Sequence, residues 1–413
     1  MPKMDAYKLH LLRSALGSFA ESVIWTAMML YQINVVGLTP LQLVLIGTTM
    51  EATIFLFEIP TGIVADVYSR RLSVIIGSFL TALSYLLMGL VPVFGALLLG
   101  QVLWGFGHTF RSGAYEAWLV DEIGQERAGN AFIRGGQASN MAGLFGIGIS
   151  VLLGSIALHW PVLVGAGLHL LVALLTLVWM PETGFKPTPR PERSTFQKMF
   201  DTFSEGAQVI RRRPTLMSIL GIGLFVGLYS EAWDRLWQYH LLESIGLPVF
   251  ANLQPVAWFG LFQVISILLG LAAAEVMRRR LDLNNAPAMR RALFGITAVM
   301  IAGLVVYGLS QTFAVAILAF FAFTTMRGLA GPIFATWSNQ QIDSSVRATV
   351  LSVQSQTDAI GQIAGGPPLG ALGQVSLRAA FFASAALLSP VLWLLNRVGN
   401  REKRLPLVEA AEA

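Results

Sequence analysis

Twelve runs of mostly apolar residues, each about as long as a bilayer is thick, divide this chain. They fall at roughly 9–35, 41–66, 71–92, 94–121, 128–158, 160–180, 214–240, 255–277, 288–309, 312–340, 346–372 and 376–397. A helix rises about 1.5 Å per residue, so about 20 such residues cross a hydrocarbon core of about 30 Å. Backbone groups in lipid have no water to bond, which leaves helices or closed barrels as spanning structures, and runs of this length predict helices. The expectation is an all-α integral membrane protein with twelve transmembrane helices. Only 12% of the residues are charged, about half the soluble norm of ~25%. The opening MPKMDAYKLHLLR has no short apolar core followed by a small-residue cleavage site, so the first run is expected to be a retained span.

One long polar segment, residues 181–213, separates the sixth and seventh runs. It opens Pro-rich and then places Phe196, Met199, Phe200, Phe203 and Ile210 at helical spacing behind Ser194, which predicts an amphipathic helix on a membrane surface. The expected organisation is a six-helix bundle over 1–180, this linker, and a second six-helix bundle with a tail over 214–413. Placing both termini in the cytoplasm puts 23 of the 28 Lys and Arg residues on that side, as the positive-inside rule requires. A multi-pass protein of the cytoplasmic membrane follows. The net charge of +5 reflects this bias and gives no reason to expect nucleic acid.

The two halves echo each other. Glu21 in SFAESVIW has a counterpart in Glu231 of LYSEAWDRLW, and Asp66 with Arg70 and Arg71 in Glu275 with Arg279 and Arg280. Arg111 in TFRSGA matches Arg327 in TMRGLA. Recurrence in register suggests a duplicated six-helix unit, a design found in some transporters.

Ionisable groups inside a bilayer cost about 2.5–3.5 kcal/mol each on insertion scales, so they are paired, wet or functional. Glu21, with Trp25 one turn on, is a proton carrier, a counter-ion for cations or the structural partner of an arginine, for which Arg111 is the obvious mate. Glu116 shares the fourth run with Arg111, but five residues is about 140° round a continuous helix, so it is expected to point elsewhere. Glu231 and Arg235 have the i, i+4 order that favours a same-face pair, and Asp234 adds an acid open to ligand or proton. Tyr229, Trp233 and Trp237 offer apolar and cation–π surface nearby. Glu51 and Glu58 share a face, Glu58 as a brace. Asp358, among Gln354, Gln356 and Gln362, is a polar contact or a gate partner; Arg134 and Arg327 satisfy acids and helix ends. Glycines at Gly143, Gly146, Gly148, Gly361 and Gly365 predict close helix packing, and Pro367 with Pro368 a bend or unwinding of the eleventh span.

The stretch GIVADVYSRRLS carries Gly62, Asp66, Arg70 and Arg71, and resembles the loop motif G-x-x-x-D-R/K-x-G-R/K-R/K of the major facilitator superfamily, with Val67 and Ser69 departing from it. GQVLWGFG is similar to that family's G-R-x-x-x-G-x-G, with Gln101 for arginine, and GQIAGGPPLG looks like its Gly/Pro-rich antiporter motif, placed in the other half. FEIPTG and SGAYEAWLVDE resemble a bacterial drug-efflux-like branch. The resemblance implies two pseudo-symmetric six-helix bundles, with the helices of Glu21 and Arg111 facing a central cavity. For the stretch GIVADVYSRRLS the plain expectation is topological, Arg70 and Arg71 holding the loop in the cytoplasm, and the sharper one is a cytoplasmic gate of Gly62, Asp66, Arg70, Arg71, Glu58 and Arg127, in which Asp66 pairs with Arg127 or Arg134.

The expected function is secondary active transport by alternating access: proton-coupled efflux of hydrophobic or cationic small molecules, or proton-coupled uptake of a small, possibly anionic solute. Substrate and proton handling fall to Glu21, Trp25, Arg111, Glu116, Glu231, Trp233, Asp234, Arg235, Arg327 and Asp358. No enzyme is expected, since HExxH and G-x-S-x-G are absent; so are a P-loop and any cysteine, and no cofactor or metal is called for. The expected partners are protons, a small molecule and the bilayer, with the chain a monomer.

Overall fold

The structure, a computed structural model, describes residues 3–187, 213–249, 253–343 and 346–402. The helix expected behind Ser194 and the tail bases Lys403 and Arg404 lie outside the described residues. Fourteen α-helices and no strand occur among those described. They are α1 (Ala6–Asn34), α2 (Pro40–Val67), α3 (Arg70–Leu90), α4 (Phe94–Arg111), α5 (Ala114–Ile123), α6 (Gln125–Ile156) and α7 (His159–Trp179). After these come α8 (Pro214–His240), α9 (Pro255–Arg280), α10 (Ala286–Leu309), α11 (Phe313–Gln340), α12 (Arg347–Val375), α13 (Leu377–Leu388) and α14 (Pro390–Glu402). α8 runs on into one π-helical turn, Leu241–Ile245.

Helix starts follow from local chemistry. Thr39 and Gln42 form a reciprocal capping box before Pro40, and Asp5, Ser69, Asn285 and Ser376 each accept a backbone N–H at the head of their helix. Two expected spans are each broken in two. The fourth breaks at Ser112 and Gly113, where Gly113 takes φ of 71°, a left-handed conformation that glycine adopts without steric penalty. The last breaks at Ser389, before Pro390, which lacks the N–H that would continue the ladder. The tandem Pro367 and Pro368 do not unwind their span: α12 continues through both. Among the described residues, nine helices are long and apolar enough to cross a membrane.

The chain divides into two compact units: residues 1–42, 49–199 and 249–264, and residues 43–48, 200–248 and 265–413. Within the first, α1 packs on α6 and α7, and α3 on α4 and α7. Within the second, α8 packs on α12 and α13, and α10 on α11 and α13. The same pairing of first with fifth, first with sixth, third with fourth and third with sixth span therefore recurs, the structural form of the repeat seen in the charged residues. Close packing uses glycine where expected. A methyl at Gly146 would stand 2.7 Å from Phe19 O, and one at Gly365 2.1 Å from Leu228 O, whereas Gly148 faces open space and brings no helices together.

Candidate functional site

Polar chemistry in the first unit gathers around one cavity of about 380 Å³. α1 contributes Arg13, Ser14, Gly17 and Ser18; α4 contributes His108 and Arg111; α5 contributes Tyr115 and Glu116; Ser139 and His169 complete it from α6 and α7. Glu116 and Arg111 thus line the same cavity, which corrects the expectation from helical periodicity. The 140° offset assumed an unbroken helix, and the left-handed Gly113 re-aims the chain between the two residues.

Arg111 also does not pair with Glu21. Its Nε donates to Gly107 O at 3.1 Å, and among the described residues it makes no ion pair and no other hydrogen bond. Arg13 Nη2 donates to Ser78 Oγ at 3.0 Å, and its guanidinium carbon lies 4.3 Å from the Tyr115 ring centre, a cation–π arrangement. The cavity therefore holds two guanidinium groups that make no ion pair among the described residues, although Glu116 acts on both through space and Glu21 on Arg111. Glu116 is its one acid.

Glu21 sits beside this cavity with other partners. Its Oε2 accepts from Trp25 Nε1 at 2.6 Å and from Tyr85 Oη at 2.9 Å, while Tyr85 Oη itself accepts from Trp104 Nε1 at 2.9 Å. Glu21 Oε1 lies 3.4 Å from His169 Nε2, near enough to pair with a protonated ring but off the line of a hydrogen bond. The His169 ring stacks on Tyr85, with centroids 5.2 Å apart. Two ionisable groups thus adjoin, close enough to form an ion pair when the His169 ring is charged.

The charged stretch after α2 forms a clasp. Arg70 binds Asp121 at the end of α5, and its contact with Asp66 is longer, 3.5 Å, with Asp66 over half exposed. Asp66 makes no ion pair with Arg127 or Arg134, both of which are exposed. The tight turn between α2 and α3 brings Arg70, the first residue of α3, back to Asp66 near the end of α2, so no distant arginine is needed. Ser69, where the family motif has glycine, caps α3. Glu182 accepts from Ser69 Oγ and from Arg71 N at 2.8 Å, and Arg71 Nε donates to Met180 O at 2.8 Å. Glu122 accepts from the backbone of Thr183 and Gly184. Gly62 faces open space and Glu58 is half-buried.

The second unit settles its charges internally. Glu231 and Arg235, both more than nine-tenths buried, lie 3.5 Å apart, and a methyl at Gly47 would fall 1.9 Å from Glu231 Oε2. Asp234 is not left over: both of its oxygens accept from Arg327. Asp358 accepts from Gln362 one turn along its own helix, at 2.8 Å. Trp233 is 3% exposed and packs on Phe323 with ring centres 4.0 Å apart, so it is core and offers no surface to a cation. Trp237 stacks on Phe320. The Glu275 counterpart of the clasp binds Arg278 and Arg279 on an exposed helix end.

Sequence reasoning missed Arg13, Tyr115, His108, His169, Tyr85 and Asp121. A signal for some of them was present: Ser112–Gly113 is a turn-forming dipeptide inside an apolar run, and it re-aims everything up to Asp121.

A model of the Major Facilitator Superfamily matches residues 12–366. Over 359 residues, 85% of this chain and 86% of the relative, the sequence is 23% identical to YxaM of Bacillus subtilis (strain 168), described as an uncharacterized MFS-type transporter. Among solved structures, the nucleoside transporter NupG superposes with a TM-score of 0.73 at 14% identity, covering 95% of this chain and 99% of that one. A POT family transporter in complex with a thioalcohol-conjugated peptide gives 0.72 at 14% identity, with 96% of each chain covered. At that identity the structural likeness speaks to fold. Family and relatives are transporters, not enzymes. With a family match over most of its length, an all-helical fold of bilayer-length segments and paired charges within them, the chain belongs to the Major Facilitator Superfamily and is a secondary transporter of that type.

Proposed function

We propose that this transporter couples proton movement to the passage of a small organic solute bearing an anionic group, by alternating access. The observation that carries the reading is the pair of guanidinium groups, Arg13 and Arg111, lining the first unit's cavity without an ion pair, with Glu116 the one acid in its wall. Charged donors in a half-buried site recognise carboxylate or phosphate oxygens by short, charge-assisted hydrogen bonds. The neighbouring Glu21 and His169 supply the proton site. The bias of Lys and Arg favours a cytoplasmic membrane location with both termini inside, and two six-helix halves joined through 181–213.

A second reading, outward transport of hydrophobic or cationic molecules, is favoured by the aromatic setting of Glu21, where Trp25, Tyr85 and Trp104 surround one acid. One experiment separates the two. Purified protein is screened by thermal shift at pH 6 and pH 8 against small carboxylates, organic phosphates, zwitterions and quaternary amines, and the stabilising compounds are then followed in proteoliposomes with and without an imposed proton gradient. Stabilisation by anions, flux that responds to the gradient and loss of that response in Glu21→Gln are expected. Stabilisation by cations alone sinks the anion reading, and flux indifferent to the gradient sinks the coupling.

A further inference from the structure

A second cavity, of about 210 Å³, lies wholly within the other unit, among α8, α10, α11, α13 and α14. Its walls are apolar, including Ile222, Leu293, Met300, Phe334, Leu388 and Val391. Three groups interrupt that surface: Tyr229, Thr297 and Arg327. The charge of Arg327 is already answered, because Asp234 takes both of its terminal nitrogens. The hydroxyls of Tyr229 and Thr297 have no hydrogen-bond partner among the described residues, although both side chains are buried. Both oxygens remain accessible, and both residues line this one space, so an occupant's polar atom can serve as their partner.

We propose that this cavity is a binding site for a compact, uncharged, monocyclic aromatic alcohol, separate from the transport cavity of the first unit. Size sets the first limit. An apolar cavity of about 150 Å³ accepts benzene and excludes water; 210 Å³ holds one ring with two or three further heavy atoms. Charge sets the second. A carboxylate here would compete with Asp234 for Arg327, and an ammonium would meet a guanidinium already paired, so either ion enters without a free counter-charge and bears its desolvation alone. Hydrogen bonding sets the third. Tyr229 and Thr297 each offer one donor and an acceptor, which suits a hydroxyl able to do both, while the planar guanidinium of Arg327 suits the face of a ring.

The absence of cysteine makes the test direct. Met300→Cys, and independently Val391→Cys, places a single thiol in this cavity wall, and Ser18→Cys places one in the first unit's cavity. Each purified variant is labelled with methyl methanethiosulfonate in the presence of 4-ethylphenol, ethylbenzene or 4-ethylbenzoate. Saturating 4-ethylphenol is expected to slow labelling at position 300 or 391 about tenfold and to leave position 18 unchanged. Tyr229→Phe in the same background should raise the concentration for half-protection by 4-ethylphenol about fivefold, in line with loss of one neutral hydrogen bond, with ethylbenzene unaffected. Gly331, also in the wall, has open space where a Cβ would stand, so Gly331→Leu should fill the site and abolish protection. Equal protection at position 18, protection by 4-ethylbenzoate as strong as by 4-ethylphenol, or no protection at either wall thiol overturns the proposal.

Discussion

The two units place similar residues in similar registers and use them differently. Glu21 and Glu231 are counterparts, as are Arg111 and Arg327. In the second unit the acids and bases have found each other, Glu231 with Arg235 and Asp234 with Arg327, and the cavity beside them is apolar. In the first unit Glu21 turns to Trp25, Tyr85 and His169, and Arg111 is left with one backbone carbonyl. One copy of the repeat has closed its charges into structure. The other leaves Arg111 without an ion pair, as the proposed solute site requires. A charge that is internally satisfied contributes to folding, and a charge that is not has a ligand or a proton as its remaining partner.

Removing one member of a satisfied pair should therefore damage folding, and removing an unsatisfied one should damage binding. The largest expected effect is on Glu231→Ala, which strands Arg235 in a buried site and should cost about 3–5 kcal/mol of stability, read as a lower melting temperature and poor recovery from detergent. The double variant Glu231→Leu with Arg235→Met should regain most of that loss. If the single change leaves stability intact and abolishes transport, the division of labour between the units is wrong. Next, Arg111→Gln should weaken binding of the stabilising anion about 100-fold, about 2.7 kcal/mol, with the melting temperature of the ligand-free protein little changed. A comparable fall in stability would make Arg111 structural too and erase the contrast. Gly47→Ala is expected to cost about 1–3 kcal/mol, because its methyl collides with the buried Glu231 carboxylate and the surroundings must shift. The smallest effect belongs to Asp66→Asn: its exposed 3.5 Å pair with Arg70 is worth less than about 1 kcal/mol. Asp121→Asn should exceed it in the same thermal measurement, since Arg70 then loses its nearer partner.

The spans were legible because each is a long apolar run bounded by a cap, a proline or a charge. Thr39–Pro40 and Ser69 mark helix heads within one residue of the expected bounds at 41 and 71. The i, i+4 pair of Glu231 with Arg235 was legible for the same reason, since helical spacing alone brings them together. What resisted reading depends on contacts between helices. Nothing local ties Glu21 to Tyr85 and His169, 64 and 148 residues away, or Arg70 to Asp121. The expected cytoplasmic gate gave Asp66 a distant arginine as partner, but Arg70, four residues on across a turn, stands beside it. The placement of Glu116 failed through a single backbone angle, because one left-handed glycine changes the direction of ten following residues and leaves apolar periodicity intact.

That break at Gly113 has a mechanical consequence. The short helix it releases, α5, carries Tyr115 and Glu116 of the first unit's cavity at one end and Asp121 and Glu122 of the charged clasp at the other. Ten helical residues span about 15 Å and behave as a stiff rod. The rod is separated from α4 by the turn at its near end and is tied to Arg70 and to the Thr183–Gly184 backbone at its far end. A displacement at Tyr115 would therefore be carried along α5 to the residues that hold Arg70 and the Thr183–Gly184 backbone, with Gly113 as the point about which it turns.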